Sequence, residues 1–342
     1  MSKLPALNIN LADLPYDDAL ALAKEAENAG FQSTSVPEFI RDSLTYLAAM
    51  AVATDRIQLV SNVATWTRTP VNMARACRDV DLISKGRLVL GLGSMPGVWN
   101  RDFHGIDPQR PASRMREYVE LLRLLWASDQ NTPVDYQGEF YQVRGYRMFE
   151  PPPRPHLPIM IGASRPGMLR TAGEIADGVL FNWNFTLDFL RDVARPAIAE
   201  GAAKSGRTLD DLWLDAGRPI VFTDDKERAE EAVRWWRYAA AAIFMGIDYH
   251  QELLIQHGFE EEVTAAREAI AANDFEGVVA AVSDEMADTF LIRGSPEECL
   301  ERVAEFDGLV DSFFLWSTTV ALTGADKVKE TRRLIEIFGD AL

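Results

Sequence analysis

Short, nearly continuous apolar runs alternate along this chain with longer stretches of helical period. The runs fall at Leu7–Leu11, Ser33–Pro37, Ile57–Val63, Leu88–Gly93, Pro158–Gly162, Gly178–Asn182, Trp213–Phe222 and Ser312–Trp316. Continuity, rather than strict apolar–polar alternation, predicts parallel strands covered on both faces. The segments between them carry helix punctuation. Thr69 is placed to cap a helix with Pro70 at its first position, an inner face of Met73, Cys77, Val80 and Ile83, and an end at Gly86. Met115, Val119, Leu122, Leu125 and Trp126 make a second stripe, and Ser295-Pro296-Glu297-Glu298 spells a capping box. Eight strands, each followed by a helix, predict an α/β chain folded as a (β/α)8 TIM barrel. A doubly wound sheet is the alternative, and it accounts less well for eight units in series.

Two stretches interrupt the alternation. Residues 130–153 read as a hairpin turning at Gly138 with a proline-rich return. Residues 226–290 hold several helical patterns and no barrel strand, which predicts a helical insertion near the barrel mouth. We therefore expect one barrel domain over 1–342 with these two insertions.

Composition narrows the function. The net charge of −17, from 52 acidic and 35 basic residues, opposes a nucleic-acid or anionic-membrane partner. No window has the long uncharged apolar run of a membrane span, and the N-terminus lacks a signal-peptide core. Cys77 and Cys299 both fall in helical patterns, which predicts two buried thiols in a cytoplasmic protein.

The segment RLVLGLGSMPGVWN, residues 87–100, has the look of a phosphate-cradling glycine loop. Such a loop needs a helix opening directly at its glycines. Here Met95-Pro96-Gly97 breaks the chain, and the next helical pattern begins near Ala112, so a strand end is predicted instead. In a barrel, chemistry gathers at the C-terminal ends of the strands. Those ends carry Asn10, Glu38, Ser61-Asn62-Val63, Gly93-Ser94-Met95, Gly162-Ala163-Ser164, Asn182-Trp183, Thr223 and Trp316-Ser317. The four histidines, His104, His156, His250 and His257, have no metal-ligand spacing, so no metal is expected. No nucleophile elbow appears. Small residues, amides and apolar walls suit a flat ligand. Gly93 would let backbone lie against it, or Gly91 and Gly93 relieve crowding inside the barrel.

The stretches GFQSTSVPE, TDRIQLVSNVATWTRTPVNMARACRDVDLISKGRLVLGLGS, RMREYVELLRLLW, PIMIGASRPGMLRTAGEIADGVLFN and GSPEECLERVAEF together resemble the bacterial luciferase-like family. That family includes flavin-dependent monooxygenases and coenzyme F420-dependent oxidoreductases. The resemblance runs in order from about Leu7 to Phe338. It implies a flavin-type ring at the strand ends, with a bulge at Ser61-Asn62-Val63 whose Asn62–Val63 bond is cis in many relatives; a simple β-bulge is the alternative. It implies that Gly93 and Ser94, with Met95, Gly162 and Ala163 at neighbouring strand ends, skirt the coenzyme. Ser164, Pro166, Gly167 and Met168 match a turn into a helix whose free amides hold the coenzyme phosphate, with Ser164 as cap. The alternative is that Ser164 only caps.

The departures are specific. Phe39 follows Glu38 where deazaflavin dehydrogenases of the family commonly have histidine, and Arg68-Thr69-Pro70 lacks the histidine of a related motif. The candidate polar groups for proton transfer are Glu38, Asn100 and His104. Glu38 is also read as a ring anchor or a partner of Arg41, and His104 as a loop residue. The run ending in SDEM before GSPEE resembles the deazaflavin branch. Coenzyme F420 is therefore expected, with FMN the alternative, and hydride transfer to or from a small organic substrate. An FMN monooxygenase and a non-catalytic flavin-binding barrel are the competing functions. Trp235-Trp236 and Phe244-Met245 are read as a substrate-pocket wall or as core. No dense basic cluster is evident in the insertion, so an apolar, uncharged substrate is expected. Small-residue faces in LTYLAAMAVA and VNMARACRDV predict a homodimer.

Overall fold

Each of the eight apolar runs forms a strand. The computed structural model describes residues 3–11, 14–38, 41–317 and 324–342. In chain order the strands are β1 (Ala6–Asn10), β2 (Ser33–Val36), β3 (Gln58–Ser61), β4 (Ala64–Thr65), β5 (Leu88–Gly93), β6 (Val134–Gln137), β7 (Gln142–Tyr146), β8 (Ile159–Gly162), β9 (Gly178–Leu180), β10 (Trp213–Phe222), β11 (Ile292–Gly294) and β12 (Ser312–Ser317). Parallel pairing runs β1-β2-β3-β5-β8-β9-β10-β12 and closes from β12 back to β1. The fold is a (β/α)8 barrel. The short β4 continues β3 past a bulge and pairs with β5.

Side-chain alternation divides the strands into two faces. Leu7, Ile9, Leu59, Leu90, Ile161, Phe313 and Leu315 face outward into the main core shared with the helices. The inward residues divide by side of the barrel. Val60, Val89, Met160 and Leu180 form an apolar interior cluster. On the opposite side, Asn8 Nδ2 donates to Asp215 Oδ2 at 3.1 Å, and Ser312 Oγ donates to Asp215 Oδ1 at 2.7 Å.

The predicted caps form. Thr69 accepts from the Asn72 amide at 3.4 Å with Pro70 leading its helix, and Ser295 and Glu298 make a reciprocal capping box. The hairpin β6–β7 turns at Gly138, where the Glu117 carboxylate accepts from the amides of Glu139, Phe140 and Tyr141. A β-carbon on residue 138 would overlap that carboxylate, which explains the glycine. Residues 226–290 form the helices Lys226–Ala240, Asp248–Gln256, Glu260–Ala271, Phe275–Ala280 and Asp284–Phe290 around their own apolar cluster.

Two features differ from the sequence reading. β11 is an additional strand, pairing with Ile220–Phe222 of β10 where β10 outruns its neighbours; three residues ending in glycine carry no strand pattern. A helix also opens at Gly97 and runs to His104. It is eight residues long, begins with glycine and buries only Asn100, its apolar Val98, Trp99 and Phe103 staying at the surface or half-buried, so no core-facing stripe marks it in the sequence.

Candidate functional site

The C-terminal ends of β3, β5 and β8 build the floor of the barrel mouth. Ser61 turns toward β5 and replaces a ladder contact with its side chain: Oγ donates to the Gly91 carbonyl at 2.9 Å and accepts from the Gly91 amide at 2.9 Å. A β-carbon on Gly91 would overlap the Ser61 carbonyl and Leu180, so this glycine serves the bulge. The Asn62–Val63 peptide is cis. Val63 packs against the interior apolar cluster and sits between two glycines. A β-carbon on Gly93 would overlap Val63 Cγ2, and one on Gly162 would lie 3.3 Å from Val63 Cγ1. The floor is thus backbone and one small side chain.

Beyond Gly93, Ser94 and Met95 form a tight loop, with Met95 at φ 57°. Asn100 is fully buried and organises this loop. Its amide nitrogen donates to the carbonyls of Ser94, Met95 and Pro96 at 2.7, 3.2 and 3.2 Å, and its oxygen accepts from Trp66 Nε1 at 2.8 Å. Asn100 therefore does not stand free as a proton donor; all its polar atoms are engaged. His104 ends the Gly97–His104 helix with its side chain exposed, and is not a loop residue packed on the next helix.

Glu38 is held by other groups. Ser43 Oγ donates to it at 2.7 Å, and Arg68 Nε lies 3.8 Å from its other oxygen. Arg41, its sequence-proposed partner, instead stacks over Tyr16 and Tyr46, 4.6 and 5.6 Å from the ring centres.

After β8, Ala163 donates its amide to the Leu180 carbonyl at 3.2 Å, and the helix Pro166–Ile175 begins. Its N-cap is Arg165, with no side-chain cap; Ser164 lies one residue too early, because Pro166 occupies the first helical position. The amides of Gly167 and Met168 fall in the first turn, where a helix has no internal acceptors. Nothing lies within 4 Å of the position a Gly167 β-carbon would take, so there is free space beside this first turn.

Two of the strand-end tryptophans expected from sequence stand together at the other side of the mouth. Trp183, just past β9, contacts Trp316 of β12 with ring centres 5.3 Å apart at 72°. Behind it lie Phe244 at 4.2 Å and Trp236 at 6.3 Å, so Trp236, Phe244 and Met245 are core. The buried Arg218 donates through Nη1 to the Trp183 carbonyl at 2.8 Å. Burial holds Arg218 down to about 9, and holds His250 and His257 down to about 3 and 4. Both histidines are neutral at ordinary pH. Among the described residues no group of His, Cys, Asp or Glu could hold a metal ion.

The insertion does carry clustered basic residues, contrary to the sequence reading. Lys226, Arg234, Arg237 and Arg293 line a cavity of about 450 Å³ beside the end of β10. The sequence hides the cluster because Arg293 arrives from β11. Carboxylates pair with these groups: Glu230 with Lys226 and Glu231 with Arg234, each at 3.8 Å, Asp284 with Arg237 and Asp288 with Arg293.

Residues 5–312 match the profile of the luciferase-like monooxygenases. The chain is 33% identical over 302 residues to 5,10-methylenetetrahydromethanopterin reductase of Archaeoglobus fulgidus, covering 86% of this chain and 87% of that protein. It is 32% identical over 234 residues to F420-dependent glucose-6-phosphate dehydrogenase of Beutenbergia cavernae, covering 64% of this chain and 68% of that one. Its fold superposes with a TM-score of 0.80 on coenzyme F420 dependent tetrahydromethanopterin reductase from Methanopyrus kandleri, 26% identical and covering 98% of both chains.

Proposed function

We propose that this chain, which belongs to the luciferase-like monooxygenase family, is an oxidoreductase that transfers hydride between coenzyme F420 and a small organic molecule. The observation that carries the reading beyond kinship is the shape of the mouth. A floor of Val63 between Gly93 and Gly162 admits a flat ring, and first-turn amides at Gly167 and Met168 suit an anionic tail. When bound, the coenzyme supplies the hydride chemistry.

The chain's own residues hold and align. Val63, Gly93 and Gly162 set the plane of the floor. Gly167 and Met168 present N–H groups whose helix dipole favours a phosphate. Ser94 and Met95 flank the floor, and Asn100 fixes their carbonyls before any ligand arrives, so no ordering cost falls on binding. Ser61 and Asn62 hold the bulge that puts Val63 in place. Alignment of a donor carbon against an acceptor, with water excluded, is the protein's part in hydride transfer.

Titration of apoprotein with coenzyme F420 and with FMN, followed by removal of free ligand, tests this. Retention of F420, and its oxidation or reduction by an organic partner without oxygen uptake, is the expected result. Retention of FMN with oxygen consumption would replace the reading.

Two further properties belong to this proposal. The helices Ser43–Ala53 and Pro70–Ile83 expose Val52, Leu82 and Ile83 at 80, 51 and 45% of their area, Ile83 lying outside the inner face expected of it, which supports a two-fold homodimer. Sedimentation at micromolar concentration should give twice 38.2 kDa; a species at 38.2 kDa alone would exclude it. A cytoplasmic location accords with two unpaired buried thiols. Among the described residues, no helix is long and apolar enough to cross a membrane.

A further inference from the structure

The closed strand order puts β12 across the eight-strand ring from β5. Trp316 near the end of β12 therefore faces Gly93 at the end of β5 across the mouth. Trp316 shares the inward face of β12 with Ser312, whose hydroxyl bonds Asp215 inside the barrel, while Phe313 and Leu315 enter the outer core. Trp183 meets Trp316 edge to face at 5.3 Å. Both indoles are half-buried, and Trp183 is backed by Phe244 and Trp236. Its carbonyl is anchored by the buried Arg218. The result is a rigid aromatic corner opposite the floor.

We infer that this corner is the substrate subsite, and that it takes a planar, conjugated, electron-poor ring. This rests on the hydride-transfer reading, which gives the floor to the coenzyme and leaves the facing wall to the second reactant. An indole face is electron-rich; in the direction in which the coenzyme gives hydride, the small molecule is the acceptor and electron-poor, so stacking and reactivity select the same kind of molecule. Two indoles at 72° offer one face for stacking and one edge that limits how the ring turns. A saturated molecule of equal size would fill the space without the stacking contribution. The basic groups of the separate cavity beside β10 are already paired, and Arg218 at the corner is buried and committed to the Trp183 carbonyl, so the corner itself selects by shape and π-character.

The test uses menadione, a planar quinone, and decalone, a saturated ketone of similar size. Binding is followed by calorimetry on protein loaded with oxidised coenzyme F420, so that no turnover intervenes. Menadione should bind about two- to tenfold more tightly than decalone, the ratio that one stacked ring pair supplies. Trp316→Leu should erase most of that ratio and leave coenzyme affinity within about twofold. Trp183→Phe, which keeps an aromatic face and the anchored carbonyl, should retain most of it. Equal affinity for the two probes, or a ratio unchanged in Trp316→Leu, would overturn the assignment. The same titrations on apoprotein separate the two ideas. If wild type fails to take up the coenzyme, the hydride-transfer reading falls, while the menadione preference in apoprotein still decides whether the corner binds planar rings.

Discussion

A β-carbon on residue 93 would overlap Cγ2 of Val63, so the glycine in the fourth barrel strand and the valine of the bulge fit only as a pair. Gly93→Ala should therefore destabilise the fold by about 1–3 kcal/mol, the usual cost of overpacking. Adding Val63→Ala should return most of that loss, because the colliding methyl is removed. The double variant would keep a floor of small groups and bind coenzyme better than Gly93→Ala alone. Thermal melts and coenzyme titrations of the three proteins check this. If Val63→Ala gives no rescue, the two residues do not constrain each other.

Asn100 supplies the second prediction. Its side chain satisfies three loop carbonyls and the Trp66 indole, all in one buried position. Asn100→Ala strands those groups, at about 1–3 kcal/mol for each that water cannot reach. The loss should appear as lower stability, a changed near-ultraviolet dichroism from Trp66, and weaker coenzyme binding through the displaced Ser94–Met95 loop. A variant that keeps wild-type stability and dichroism but loses only turnover would restore Asn100 as a proton-transfer group.

The barrel was legible because each inner strand is buried on both faces and so reads as a continuous apolar run. The gly-rich strand at 88–93 was legible as a site of close approach, but not what approaches it. Its nearest partners, Ser61 and Val63, come from another strand, and tertiary pairing has no local signal. The same limit governs Glu38. Arg41 is near it in sequence, yet Arg68 from the next loop pairs with it, and Arg41 is drawn onto Tyr16 and Tyr46. The Gly97–His104 helix was hidden because Asn100, rather than an apolar stripe, ties it down. Ser164 looked like a cap, but a proline at 166 fixes the first helical residue and moves the cap to Arg165. Trp183 and Trp316 were visible as strand-end residues, and only closure of the barrel brings them into contact.

The thiols give a third prediction. Burial raises the Cys77 thiol far above its ordinary range and pushes Cys299 up to about 12. Neither forms an appreciable thiolate near neutral pH, and the thiolate is the reactive form. Ellman's reagent should label native protein slowly and release two equivalents only after denaturation, one for each cysteine. Rapid labelling of the native protein would mean that one of these helices opens readily.

The last prediction concerns Asp215, fully buried inside the barrel. Burial is the dominant influence on its carboxyl, and the hydrogen bonds from Ser312 and Asn8 only partly oppose it, so the group is pushed up to about 7 from an ordinary 3.8. Between those two values the folded chain holds a proton that the unfolded chain has released. Stability then falls as pH rises, because the unfolded state binds fewer protons. The stabilisation tied to the protonated form is complete below about pH 4 and is lost as pH passes through about 7, a difference of up to about 4 kcal/mol. Asp215→Asn mimics the protonated carboxyl and cannot ionise. Its melting temperature should match wild type only below about pH 4 and exceed it by a margin that grows from pH 5 to pH 8. Other carboxylates move both curves together; Glu27, where amide and Lys24 hydrogen bonds outweigh burial to hold it near 2, acts at much lower pH. The difference between the two proteins thus isolates residue 215. Parallel curves from pH 5 to 8 would show that Asp215 stays ionised in the barrel, with Asn8 and Ser312 sufficient to hold its charge.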